Sequence, residues 1–418
     1  MRILSLTLSF AVGTLFVGSV SPAHAKTSCS AIVGAKVILP GGTSKTVDVI
    51  IEGNKISAIG SPVPKVCHTT DGKGKTLTPG FIETQSSLGL VEVSLEETSV
   101  DTSLTDKHSS PKPIRASFQV FEGYNPSSTL IPIARRAGIT SSVLLPRGGT
   151  ISGQAAWVDL SGTTQQAAVR SEAIAMVAHI GQSGASRAAS LHRLRALFEE
   201  ARTFQSSSKD WKKNKTRPFH NVHELKAILP VLNGSLPLLV SAHRASDIER
   251  AIALAESFGI RLIISGGAEA WKLGSVLAEK KIPVIVDPES NGPGSFDQIH
   301  GRSNNAALLE AAGVPLIISS FSSHNARKLA QMAGTSVREG LPYKAALKAI
   351  TETPANVFGL EGLGKIEIGA RANLVLWTGD PLELSSIPTH AWIGGQPQSL
   401  TSRQSKLRDR YMTLPVQR

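Results

Sequence analysis

The sequence predicts an α/β protein: a (β/α)8 barrel, TIM-type, with a small β-sandwich built from both chain ends. Three patterns carry this. Apolar runs of strand length alternate with amphipathic helical stretches through the middle of the chain, the mark of a parallel sheet covered by helices. Strand-like alternation fills residues 30–58 near the start. A similar alternation returns near the end. The chain has 418 residues, 41% of them hydrophobic, which is enough for one barrel-sized domain or for two domains. Aromatic residues make up only 5%, so the core must be mainly aliphatic.

Residues 1–25 read as an export signal. Arg2 gives a positive start, an apolar stretch follows, and Ala23-His24-Ala25 fits a small-x-small cleavage site. An uncleaved membrane anchor is the competing reading. No other stretch approaches the roughly 18 continuous apolar residues that a span needs. The sequence therefore predicts a periplasmic or secreted protein with no membrane span after cleavage. Cys29 and Cys67 are its only cysteines. In an oxidising compartment they can form a disulfide, or they can remain two separate thiols. Alone they cannot make a zinc site.

The first sandwich strands are AIVGAKVILP and VDVIIEGNKISAIG, with Gly-Gly and Gly-Asn at the turns. Their partners come from GKIEIGARANLVLW and HAWIGG near the C-terminus. Between them, AGITSSVLLP is a buried strand type and LPLLVS a second. A helix over 247–258 follows, with capping-box spacing from Ser246 to Glu249 and Gly259 as its stop. RLIIS, a helix at 269–280, KIPVIVD, a helix around 303–312, VPLIIS and a helix from His324 continue the alternation. A barrel accommodates this number of units, with a doubly wound sheet as the alternative. The predicted organisation is 1–25 signal, 26–78 with 363–400 sandwich, 79–362 barrel, and 401–418 tail.

The net charge of +12 raises the question of an anionic partner. The one dense basic run, Lys209, Lys212, Lys213, Lys215 and Arg217, has only Trp211 as an interleaved aromatic. It reads as a solvated loop. No nucleic-acid module appears, and none is expected as a partner. No Gly-x-Ser-x-Gly elbow is present, and PRGG and SGG read as turn chemistry.

Five segments together point to a family. PGFIETQSSLGL (79–90) resembles the Pro-Gly-Leu-Ile-Asp-x-His-x-His-x-Gly segment of the amidohydrolase superfamily. RRAGITSSVLLPRGGTISGQAAWVDLSG and SAHRASDIERAIALAESFGIRLIISGGAEAWKL resemble later segments of its imidazolonepropionase-like and dihydroorotase-like branches. SSHNARKLAQMA and YKAALKAITETPANVFGLEGLGKIEIGARANLVLWTGDPLE resemble its closing segments. The likeness spans nearly all of residues 30–398. It implies the barrel, the sandwich from both chain ends, and hydrolysis of C–N bonds by water activated on one or two divalent metals at the barrel mouth.

Carried over residue by residue, the resemblance sets the His-x-His pair on Gln85 and Ser87. The strand 5 His falls on Ser241, with His243 two residues beyond it. The strand 6 His falls on Gly266, and the strand 8 Asp falls at or near Phe321. Gln and Ser are weak zinc ligands, and Gly and Phe offer no side-chain donor. The strand 4 ligand has no clear place; His179 is the only imidazole in its region, 175–184. The expectation is a barrel without the family's metal, cofactor-free, kept as a pseudoenzyme or small-molecule binder.

The alternative is a working hydrolase of amides or cyclic amides. It would use a non-standard site of His243, Asp287 and His324, with zinc or another divalent metal if one is held. His220 and His223 have chelating spacing but read as a surface pair. Glu92, Glu96, Glu97 and Asp101 could face the mouth as acid or base, although a solvated loop explains them as well. Substrate and oligomeric state are not legible.

Overall fold

The computed structural model describes residues 29–103, 113–181, 186–211, 219–289 and 294–412. Residues 1–25, expected to be an export signal, and most of the basic run after Lys209 lie outside these residues.

The first sheet begins with β1 (Cys29–Ile38), β2 (Ser44–Glu52), β3 (Lys55–Ile59), β4 (His68–Asp71) and β5 (Thr76–Pro79). The chain then enters the barrel through β6 (Phe81–Ser86), β7 (Ile139–Leu144), β8 (Ile151–Asp159) and β9 (Val169–His179). β10 (Leu238–Ala242), β11 (Leu262–Gly266), β12 (Val284–Val286) and β13 (Leu316–Ile318) continue it. β14 (Leu374–Trp377), β15 (Pro388–Ile393) and β16 (Gln396–Pro397) return to the first sheet.

That first sheet joins both chain ends. β5 pairs with β14 in antiparallel register, Leu374 opposite Pro79 and Trp377 opposite Thr76. The sheet folds back on itself, because Ile56 of β3 and Trp392 of β15 share one apolar core with Ile32, Leu77 and Leu376. At the closed edge the backbones nearly touch: a Cβ on Gly395 would meet the Gly53 carbonyl at 2.1 Å. Cys29 and Cys67 form a disulfide in this unit, with a Cα–Cα distance of 4.5 Å. The segment Lys365–Ile368, expected as part of a strand, pairs in no ladder.

The second sheet runs in order β6 to β13 and nearly closes into a barrel. It departs from a (β/α)8 barrel at one strand. β8 is antiparallel to both β7 and β9, while the remaining neighbours are parallel. The cause is connection length. A parallel crossover takes roughly a dozen residues or more, and only 145–150 separate β7 from β8. Gly148 and Gly149, at φ 87° and 75°, turn the chain straight back instead.

Every barrel strand contributes to one apolar cluster: Ile82, Val143, Ala155, Val177, Leu239, Ile263, Ile285 and Ile317, with Ile174 and Ala175 also from β9. Burial of each large aliphatic side chain contributes about 1.5–3 kcal/mol. The helix Glu352–Phe358 plugs the lower end with Ala355 and Phe358. Outside the strands, a larger apolar layer packs the helices against the barrel.

The helix expected over 247–258 spans Ala245–Phe258, and Gly259 stops it in the left-handed region at φ 64°. Its start corrects the sequence reading. Arg244 is the N-cap and makes no side-chain cap bond. Ser246 already lies inside the first turn, so the capping box does not form. Glu269 Oε2 instead accepts from Ala245 N at 3.1 Å. The last expected helix starts at Ala326, two residues past His324, as a 3-10 turn leading into Leu329–Arg338.

Asp159 joins the two sheets. Because β8 runs backwards, its final residue lies at the lower end, beside the first sheet. The carboxylate there is fully buried and accepts from Ser141 Oγ (2.9 Å), Arg170 Nε (2.8 Å), Arg371 Nη2 (2.7 Å) and Asn373 Nδ2 (3.1 Å). Removing one member of a buried ion pair leaves the others desolvated and unpaired. Asp159→Ala is expected to lower stability by about 3–5 kcal/mol, read by urea unfolding at neutral pH. A change below about 1 kcal/mol would show that the joint is held elsewhere.

Candidate active site at the barrel mouth

Side chains along a strand alternate with period two. Two residues beyond the aliphatic layer the inward positions become mostly polar: His179 above Val177, Ser241 above Leu239, Ser265 above Ile263, Asp287 above Ile285, and Ser319 above Ile317. This upper layer lies at the C-terminal ends of the parallel strands, where barrel enzymes carry their sites. Two adjoining cavities open there, about 310 Å³ and 170 Å³. His243 and Phe321 line both.

Gln85 is buried at the end of β6 and lines the larger cavity. Its Oε1 accepts from Ser265 Oγ at 3.0 Å, and its buried Nε2 has no hydrogen-bond partner. Ser87 does not line either cavity. It is buried behind the following turn, where its carbonyl accepts from Leu90 N and Val91 N, and Ser86 lines the mouth in its place. Ser241 is half-buried on the larger cavity.

Gly266 has φ 96°, and the His243 ring fills the space above it. A Cβ on Gly266 would meet His243 Cε1 at 2.5 Å. Phe321, at φ 52°, holds a backbone conformation rare for a bulky residue and packs its ring against the inner layer.

Of the three residues weighed as a non-standard site, the fold brings two together. His243 and Asp287 line the smaller cavity. His324 is exposed and lines neither cavity. His220 pairs with Glu200, and His223 is exposed. Glu92 accepts from Thr129 and Glu96 from Thr98, and none of the four acidic residues of that loop reaches the mouth.

Sequence reasoning missed Glu83 and Arg147. Glu83 is fully buried. It accepts from Ser319 Oγ, from Ser320 N at 3.2 Å and from Gln85 N at 3.0 Å. Burial raises its pKa, with the Ser319, Gln85 and Ser320 hydrogen bonds opposing. It stands where the family segment has Asp, so Pro-Gly-Phe-Ile-Glu held the signal. Arg147 lay in the PRGG segment that reads as a simple turn.

The two cavity histidines are disfavoured as cations. Burial, then Arg147, pushes His179 down to about 4, and its Nε2 lies 2.9 Å from Ser152 Oγ. Burial also lowers His243, against the opposing pull of Asp297 and Asp247; Gln298 Nε2 approaches its Nδ1 at 3.5 Å.

A divalent metal does not fit the residues at the positions that the resemblance assigns to its ligands. An amide, two hydroxyls, a glycine and a phenyl ring supply no imidazole, thiolate or carboxylate. Among the described residues, no group of three or more His, Cys, Asp or Glu side chains is arranged to hold a metal ion.

Fold and mouth define an α/β barrel protein of the hydrolase-related kind, with its pocket at the strand ends. A model of the amidohydrolase family matches residues 314–397. An amidohydrolase from Thermotoga maritima superposes with a TM-score of 0.80 at 25% identity, covering 88% of this chain and 99% of that one. Amidohydrolase tasK of Hapsidospora irregularis is 22% identical over 84% of this chain. The chain spans only 40% of that curated relative's length. A zinc-bound adenosine deaminase from Xanthomonas campestris shares the fold, with a TM-score of 0.55 at 17% identity over 93% of this chain and all of its own. The family model over the C-terminal part, the curated relative and the shared fold together support the amidohydrolase superfamily.

His179 and Glu83 should tilt stability in opposite directions. A histidine held low in the folded state stabilises fully above its unfolded value of 6.5, and that contribution is lost as pH falls towards 4. The loss is on the order of 3 kcal/mol. His179→Gln should flatten this acid limb in unfolding curves taken from pH 7 to 4; an unchanged limb would contradict the assignment. A carboxyl held high stabilises fully below 4.5, and that contribution is lost as pH rises through its folded value. Glu83→Gln should therefore gain stability relative to wild type between pH 5 and pH 8, and a constant difference would speak against a neutral Glu83.

Proposed function

We propose that this chain is a metal-free member of the superfamily, a barrel that binds a small molecule at its mouth after losing metal-dependent C–N hydrolysis. The observation that carries the reading is the joint state of the ligand positions. Gln85, Ser241, Gly266 and Phe321 line the mouth at positions where the resemblance calls for His and Asp, and Ser87, at the remaining one, is buried behind the following turn. One such change could be a variation on a site; the whole set removes the donors. The barrel beneath keeps a packed aliphatic layer and an open cavity, which suits binding.

A second reading rests on one specific placement. His243 and Asp287 share the smaller cavity, as a hydrolase with a non-standard site would require. The export expected from residues 1–25 is part of the proposal, and the Cys29–Cys67 disulfide suits an oxidising compartment.

Metal content tests the first reading. The purified protein is loaded with zinc or manganese, desalted and assayed for bound metal. The expected result is well below one equivalent. A stoichiometry near one or two, or metal-stimulated hydrolysis of simple amides, would overturn it. Metal-independent hydrolysis abolished by Asp287→Asn would favour the second reading.

A further inference from the structure

The C-terminal helix Arg403–Met412 is held to the rest of the molecule mainly at its start. Ser402 and Ser405 exchange hydrogen bonds there, Ser402 N to Ser405 Oγ at 2.9 Å and Ser405 N to Ser402 Oγ at 3.2 Å. Ser405 is the buried residue of the helix, and every residue from Lys406 to Met412 is exposed. A helix this short is marginal in water without a packed face, so a surface that covers it would stabilise it. Its exposed side chains are of two kinds. Arg403, Lys406, Arg408 and Arg410 stand against one acid, Asp409. Leu407 and Tyr411, one helical turn apart, lie next to Met412, and Tyr411 is 64% and Met412 76% exposed.

A cleft of about 470 Å³ runs beside this helix. Arg136 enters it from the end of the helix Leu130–Arg135, Arg327 from the turn Ala326–Lys328, and Arg408 from the C-terminal helix. No Asp or Glu is among its lining residues. Arg136 and Arg327 make no ion pair among the described residues. Arg408 is tied to its neighbour Asp409, Nε at 2.8 Å and Nη2 at 2.6 Å, and an exposed pair of this kind is weak. Three guanidinium groups around one cleft repel one another. An anion between them removes that repulsion, and the guanidinium fork matches phosphate oxygens in particular.

We propose that this face docks on an anionic lipid surface. A headgroup phosphate enters the cleft among Arg136, Arg327 and Arg408, while Leu407, Tyr411 and Met412 sink into the boundary between headgroups and acyl chains. Basic helices with exposed apolar residues lie in the plane of such an interface. Nucleic acid or another soluble polyanion would satisfy the arginines and leave Leu407 and Met412 in water. None of the residues lining this cleft lines either cavity of the barrel mouth, so the docking surface does not depend on the metal-free reading.

The test is cosedimentation of the protein, with and without residues 1–25, with two kinds of vesicle: phosphatidylcholine alone, and equal parts of phosphatidylcholine and phosphatidylglycerol. Both forms of the protein should bind the anionic vesicles, and the form lacking residues 1–25 should leave phosphatidylcholine unbound. Arg136→Gln with Arg327→Gln should weaken anionic binding about thirtyfold, since each arginine near such a surface carries about a fivefold effect. Leu407→Ser with Tyr411→Ser should weaken it at least about tenfold. All four substituted side chains are exposed, and an unchanged melting temperature shows that each variant is folded. Equal binding to both vesicle types, or full binding by the double arginine variant, would overturn the proposal. Full binding by the Leu407 and Tyr411 variant would reduce the contact to charge alone and overturn the lipid assignment. Binding confined to the form that keeps residues 1–25 would belong to that segment and overturn it as well. Inorganic phosphate or heparin bound in the absence of vesicle binding would make the cleft a site for soluble anions instead, and no binding to any of these would leave the face without the proposed role.

Discussion

The Glu83 carboxyl holds the seam of the barrel. The sheet runs from β6 to β13 without a ladder between its two ends, so something other than strand pairing must join them at the mouth. Glu83 reaches from β6 to the hydroxyl of Ser319 and the backbone N–H of Ser320, just past β13. It also accepts from Gln85 N, which fixes the next residue of the mouth layer. Gln85 in turn receives the Ser265 hydroxyl from β11. One buried carboxyl therefore closes the cylinder and sets the first polar contacts of the cavity. Such a group is tolerated inside because it is hydrogen-bonded and favours its neutral form.

Shape and chemistry are carried by different layers of the same strands. The aliphatic ring of Ile82, Val177, Leu239, Ile263, Ile285 and Ile317 fills the barrel and depends only on apolar volume. The ring two residues higher borders a cavity and can change residue type without emptying that core. This is why a superfamily fold can persist while its mouth chemistry changes, and why fold membership alone does not assign an activity.

The same separation explains what the sequence made legible. Strand positions followed from apolar runs, and Gly259 ended its helix as its conformational freedom predicts. The two-ended sheet followed from alternation at both termini. The reversal of β8 was not anticipated, although Pro146-Arg147-Gly148-Gly149 contained it: a turn that short cannot carry a crossover. Reading those residues as turn chemistry was right about the backbone and blind to the Arg147 side chain. The capping box failed because a tertiary partner, Glu269, took over the helix start. His324 followed a strand in sequence but turns outward, a fact decided by loop geometry rather than spacing. The seam role of Glu83 depends on contacts with residues far along the chain, which no local pattern records.

The pairing of β5 with β14 constrains the order in which the molecule can assemble. β5 lies before the barrel in sequence and β14 lies after it, so that ladder cannot form until almost the whole chain is available. Contacts of such long sequence separation form slowly, because the loop between them must first be ordered. β1 to β5 must wait beside an unpaired edge while the barrel between them and β14 takes shape. Asp159 makes the wait longer, since its partners Arg371 and Asn373 also arrive late. The small sheet, although it begins at the first described residue, is therefore the last part of the molecule to become complete, and a chain truncated before β14 would leave a folded barrel with an open, adhesive edge.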